Sequence, residues 1–144
     1  MRRKANLRVN ESRVDKWLRT TLQSSLRRLW LRSELAHEAM RLDRVDLKVN
    51  KGSKINSLIA GAMLKIADLE SVTKKTRYLY DCACCNQYFI AKQIEIDHID
   101  GISSLFYLSD LPLYVETLFC PIDRLQRLCI TCHRTKTSGL TSTD

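Results

Sequence analysis

The sequence is poor in the residues that break regular structure. Its 144 residues include only four glycines and two prolines, which argues against long disordered or collagen-like stretches. No apolar run approaches the roughly eighteen residues a membrane helix needs. The basic start, MRRKANLRVNESR, is not followed by the apolar core of a secretory leader. A cytosolic setting with reduced thiols is therefore expected, and six cysteines in such a chain point to metal or reactivity before disulfides. With 44% hydrophobic and 28% charged residues, the balance is that of an ordinary globular chain. The length suits one domain, or one domain with an arm.

The charge is unevenly placed. Of the net +8, residues 1–54 hold 15 Lys/Arg against 6 Asp/Glu, and residues 55–144 hold 9 against 10. The first third thus carries the whole excess, which points to a polyanion partner, nucleic acid first, or to a solvated helix face. Residues 13–32 place Val14, Trp17, Leu18, Thr21, Leu22, Ser25, Leu26 and Leu29 at helical spacing, with most arginines off that stripe. Ser12 is the expected N-cap, with Asp15 three residues on. Ser33 is set to cap a second short helix on which Leu35, Ala39 and Leu42 share a face. A polar loop over 43–54 precedes a third helical pattern over 55–69. These pieces define a basic helical N-terminal region, residues 1–75.

The character changes at residue 76. Tyr78/Tyr80, Tyr88/Ile90 and Ile94/Ile96 alternate as strands do. Asp110 and Pro112 open an expected helix over 110–119; DRLQRLCI reads as a strand and TCHRTKT as a last helix. Cys82 and Cys85 form one CxxC pair, and Cys129 and Cys132 another. Four thiolates in two such knuckles suit a tetrahedral zinc ion. The 43 residues between the pairs exceed the roughly 15–20 of a compact zinc ribbon. Cys84 and Cys120 are expected to be small buried residues. Two of the three histidines fall on this frame: His98, beside Asp97, and His133, directly after Cys132. On a strand, Asp97 and His98 point to opposite sides, so one can bind a metal while the other faces substrate. His37 reads as structural.

The combination CACC…IEIDHI…LCITCHRTK resembles the zinc-knuckle branch of the HNH endonucleases. The likeness to small phage-type members extends over residues 26–137. The resemblance implies an α+β chain, in which N-terminal basic helices are followed by a ββα-metal (HNH) module, residues 76–144, with a structural four-cysteine zinc site. It implies metal-dependent hydrolysis of phosphodiester bonds in double-stranded DNA, by nicking or double-strand cleavage. His98 would be the general base. Asp97 and His133 would hold a catalytic divalent ion, Mg²⁺, Mn²⁺ or Ni²⁺. Arg19, Arg27, Arg28, Arg134 and Lys136 would contact DNA. The middle Asn of the family motif falls at Arg124 here. Arg124 would meet a phosphate itself, or the neighbouring Asp123 would supply an oxygen; Asp100 would join the site or, before Gly101, take a capping role in a turn. The expected place of action is the cytoplasm, that of the host cell for a phage-encoded chain, with phage packaging proteins as further partners.

Two other functions fit parts of the pattern. A non-catalytic zinc-containing DNA-binding module of phage packaging or replication machinery would explain the basic helix and the altered middle position. It would bind DNA with strong salt dependence and cut nothing. Cys129-Ile-Thr-Cys132-His133 also spells the CxxCH of covalent haem attachment, but that leaves the first CxxC without a role.

Overall fold

The structure, a computed structural model, describes residues 11–47, 66–73 and 75–139. Ser12 starts the first helix. Its hydroxyl accepts from the Asp15 amide at 3.0 Å and donates to the Asp15 carboxylate at 2.7 Å, so one orphan N–H is satisfied and an anion sits in the first turn. Helix α1 then runs from Arg13 to Leu31. Ser33 caps α2, Glu34–Arg41, in the same way. After a turn at Asp43, whose φ is 51°, comes β1, Val45–Asp46, and later β2, Tyr78–Asp81, β3, Tyr88–Phe89, and β4, Ile94–His98. Helix α3 spans Leu111–Leu118, β5 spans Leu125–Cys129 and α4 spans Ile130–Thr137.

The described residues are thus α+β, with four α-helices and two small antiparallel sheets. One sheet has the order β1-β2-β3 and the other pairs β4 with β5. In the second, Asp97 faces Gln126 and His98 faces Leu125. Strand β5 runs straight into α4, so from β4 onward the described order is strand, helix α3, strand, helix. Among the described residues no helix is long and apolar enough to cross a membrane.

Two hydrophobic clusters hold these elements. Trp30, Ala36 and Ala39 from the first two helices pack with Leu105, Tyr114, Leu118 and Leu125. Tyr80, Cys82, Ile94, Leu128 and Cys129 form the second, with Met40 against it. Leu79 and Leu118 are fully buried, each stabilising the fold by about 1.5–3 kcal/mol. The core therefore runs across residue 75: α1 and α2 pack on the C-terminal module, and β1 pairs with β2. Arg127, only 9% exposed, ties the parts together. Its guanidinium donates to the carbonyls of Met40 and Leu42 at the end of α2 and pairs with Asp81 on β2.

Several local expectations differ from the structure. The inward face of α1 is Leu18, Leu22, Leu26 and Trp30, while Val14, Trp17 and Leu29 are exposed. Packing of Trp30 and Leu26 into the core sets the rotation of the helix, and the stripe read from Val14 lies a step around it. Leu42 is the exposed C-cap of α2, and Ala36 takes the buried place. Most of the expected helix over 55–69 lies outside the described residues. Its described end is not α-helical: Ile66 bridges to Tyr88, and Leu69–Ser71 is a 3-10 turn. Asp110 does not cap α3 with its side chain; it accepts from the amides of Phe106 and Tyr107 instead.

Replacing Arg127 by Met keeps apolar volume but strips two carbonyls and Asp81 of their donor. Arg127→Met is expected to lose roughly 2–4 kcal/mol of stability, read from the shift in a urea unfolding midpoint.

Candidate metal centre and active site

Strand β2 delivers Cys82 into a tight turn. The Asn86 amide donates to the Cys82 carbonyl at 2.9 Å, and Asn86 itself takes a left-handed φ of 55°, a conformation Asn tolerates better than most residues. The turn points the sulfurs of Cys82 and Cys85 to one side. Cys129 ends β5 and caps α4, its sulfur accepting from the Cys132 amide at 3.4 Å. The Cys129 amide donates to Cys82 Sγ at 3.3 Å, which joins the two knuckles. All four sulfurs lie within 4.8 Å of one another and can hold a metal ion. Tetrahedral Zn–S bonds of about 2.3 Å put sulfurs roughly 3.8 Å apart, so the cluster is of the right size.

The thiols are shifted in opposite directions. Burial raises the Cys82 pKa, but amides of Cys85, Cys129 and Cys84 outweigh it and bring the thiol down to about 7. Burial, followed by hydrogen bonding to neighbouring cysteines, drives Cys132 strongly upward, and burial raises Cys85. Four sulfurs this close cannot all ionise unless a positive charge sits among them. Cys84 and Cys120 stand outside the cluster. Cys84 is exposed and Cys120 half-buried rather than the buried residues expected, although the Cys84 side chain still hydrogen-bonds Cys132.

The second site begins at the end of β4. Asp97 and His98 are 8% and 6% exposed. His98 Nε2 lies 2.8 Å from the Leu118 carbonyl at the end of α3, so in the neutral ring this nitrogen carries the proton and Nδ1 is left as the basic atom. The Trp30 ring from α1 packs on the imidazole at 4.8 Å between centroids. A turn follows, in which the Gly101 amide donates to the His98 carbonyl at 3.0 Å. Gly101 has a φ of 75°, which only glycine adopts without strain.

Asp97 turns to the other side, towards α4. Its Oδ2 accepts from Gln126 at 2.7 Å across the ladder and from Lys136 Nζ at 2.5 Å. Its Oδ1 is 3.6 Å from His133 Nε2. His133 Nδ1 is hydrogen-bonded to Glu95. A cavity of about 480 Å³ has Arg27, Trp30, Asp97, His98 and His133 in its wall. A smaller cleft of about 220 Å³ lies on the Arg124 side of His98.

The structure thus brings Asp97, His98, His133 and Arg27 to one cavity. Lys136 does not project outward for phosphate: Asp97 and the carbonyls of His98 and Ile99 hold its ammonium. Arg19 is likewise taken up, by Glu11 at 2.7 Å and the Leu105 carbonyl at 3.1 Å. Arg124 lines the smaller cleft and pairs with Asp100 at 3.3 Å; Asp123 is exposed and lines neither cavity. Arg28 and Arg134 are exposed. Sequence reasoning missed Glu95, Gln126, Trp30 and the Leu118 carbonyl. Glu95 was legible, two residues before Asp97 on the same strand face. The other three depend on register and packing across long separations. Comparison with protein-family models, curated proteins and solved structures returned no match.

The purified protein is expected to carry one zinc ion per chain, measured by elemental analysis. Cys129→Ser should remove it. Because zinc binds thiolates, and burial favours the protonated forms of Cys85 and Cys132, protons should compete with the metal increasingly as pH falls. A chromogenic zinc-release assay between pH 8 and 5.5 reads this directly; release independent of pH would contradict a thiolate site.

Proposed function

We propose that the chain is a metal-dependent DNA endonuclease of the HNH type, with a structural zinc ion in Cys82, Cys85, Cys129 and Cys132. The observation that carries this reading is the shared cavity of Asp97, His98 and His133, with Arg27 at its wall. The family resemblance of these residues supports it. A carboxylate oxygen and an imidazole nitrogen 3.6 Å apart fit two neighbouring ligands of one divalent ion, whose bonds are about 2.0–2.1 Å. Asp97 and His133 would hold that ion, Mg²⁺, Mn²⁺ or Ni²⁺. When bound it supplies Lewis-acid charge for the phosphate and the leaving oxygen.

The chain's own residues do the rest. His98 accepts the proton of an attacking water at Nδ1 as the new P–O bond forms and the bond to the leaving oxygen breaks. Its Nε2–H stays on the Leu118 carbonyl, which orients the ring and stabilises the imidazolium. Trp30 restricts the ring to that orientation and keeps bulk water from its face. Lys136 adds positive charge beside Asp97, and Arg27 offers a guanidinium to a phosphate at the mouth. Double-stranded DNA is the proposed substrate, with Arg28 and Arg134 as outer contacts.

A second reading is favoured by one specific feature. Arg124, paired with Asp100, stands where the family motif has its middle Asn, and a non-catalytic zinc-containing DNA-binding module would tolerate this. Incubating supercoiled plasmid with protein and EDTA, Mg²⁺, Mn²⁺ or Ni²⁺ separates the two. The nuclease should relax plasmid only with metal, and His98→Ala should lose roughly 10²–10⁴-fold in rate with zinc content and circular dichroism unchanged. Intact plasmid in every metal, with a salt-sensitive gel shift, would establish the binding module instead.

A further inference from the structure

We propose that Glu95 is a positioning residue that sets His133 for the divalent ion: it takes the proton-bearing Nδ1 and leaves Nε2 as the metal donor beside Asp97. This rests on the nuclease reading above, in which Asp97 and His133 share an ion.

Glu95 and Asp97 lie two residues apart on β4, and both side chains meet α4 on one face of the strand. His133 stands between them. Its Nδ1 is hydrogen-bonded to Glu95 Oε2, and its Nε2 is 3.6 Å from Asp97 Oδ1. A neutral imidazole has one N–H and one lone pair. Facing an acceptor-only carboxylate, Nδ1 carries the hydrogen, and the lone pair is left on Nε2. The reverse tautomer would set the Nδ1 lone pair against Glu95 oxygens. A carboxylate behind a ligating imidazole fixes its rotation as well as its tautomer and raises its basicity.

Glu95 is not itself a ligand of that ion. The ring separates it from Asp97, and among the described residues only the four cysteines form a cluster of three or more metal-type donors within mutual reach. Neighbouring side chains leave it this single task. Lys136 and Gln126 both bond Asp97, and none of the hydrogen bonds of His133's ring goes to either.

The test is a Mn²⁺ titration of the zinc-loaded full chain by calorimetry, with wild type, Glu95→Gln, Glu95→Ala and Asp97→Ala. A nitrogen-detected NMR measurement of the His133 tautomer runs beside it. Glu95→Ala should weaken Mn²⁺ binding about 10–100-fold and mix the tautomers. Glu95→Gln, whose amide oxygen still accepts from Nδ1, should recover most of the affinity and the Nδ1–H form. Zinc content and melting temperature show that each variant is folded. Wild-type affinity in Glu95→Ala, or an Nε2–H tautomer in the wild type, overturns the proposal while the shared ion stands. No Mn²⁺ binding by the wild type removes the shared ion and with it the nuclease reading, so the two failures are told apart.

Discussion

Four cysteine sulfurs confined within 4.8 Å are the constraint on which the rest of the arrangement depends. Two come from the turn after β2 and two from the junction of β5 and α4. Cys129 has a double part: it is the last residue of the strand and the N-cap of the helix. Fixing its sulfur fixes the direction in which α4 leaves the sheet. That direction decides where His133 and Lys136 arrive relative to β4. Cys82 is drawn down while Cys85 and Cys132 are pushed up, and a cation among them would let all four sulfurs ionise together. A closed four-sulfur site of this kind has no vacant position for substrate. Its contribution is to geometry, felt one helical turn away.

The N-terminal helices are equally part of the site. Trp30 ends α1 inside the core and covers the His98 ring, and Arg27, one turn earlier, bonds the Tyr114 hydroxyl at 3.2 Å and reaches the cavity wall. A histidine this buried keeps a single orientation because three elements meet on it: β4 carries it, α3 accepts its proton-bearing nitrogen and α1 supplies its aromatic neighbour. The positive excess of the first third therefore divides. Arg19 holds Glu11 and the loop at Leu105, Arg27 faces the cavity, and Arg13, Lys16, Arg28 and Arg32 remain on the exposed side of the helices.

What was legible in the sequence follows the range of the interactions involved. Ser12 and Ser33 announce their helices because a cap acts over three residues. The knuckles are legible because a CxxC turn is local, and the Asp97–His98 alternation because a strand has a period of two. The failures lie at longer range. Helical spacing shows that α1 has an apolar stripe but not which edge of it turns inward; Trp30, packed on residues far along the chain, settles that against Trp17. Gln126 meets Asp97 only because β4 and β5 align in one register across a connection of residues 99–124. Lys136 reads as a phosphate contact by composition, yet α4 carries it back over the end of β4, where three oxygens satisfy its three donors.

That placement of Lys136 bears on how the proposed ion would sit. The two oxygens of Asp97 have separate surroundings. Oδ2 accepts from Gln126 and Lys136, and Oδ1 looks towards His133 Nε2. Lys136 therefore does not stand between the carboxylate and the imidazole. It pairs with the far oxygen, which Gln126 also holds. One oxygen is thereby kept pointing at the one nitrogen whose lone pair is left available by the bond from Nδ1 to Glu95. On the proposed reading, that oxygen and that nitrogen would share one small cation. The arrangement also separates the two roles that adjacent residues of β4 are proposed to take. The negative charge that would hold an ion lies on the α4 side, and His98 lies on the Leu118 side, where it meets an uncharged carbonyl.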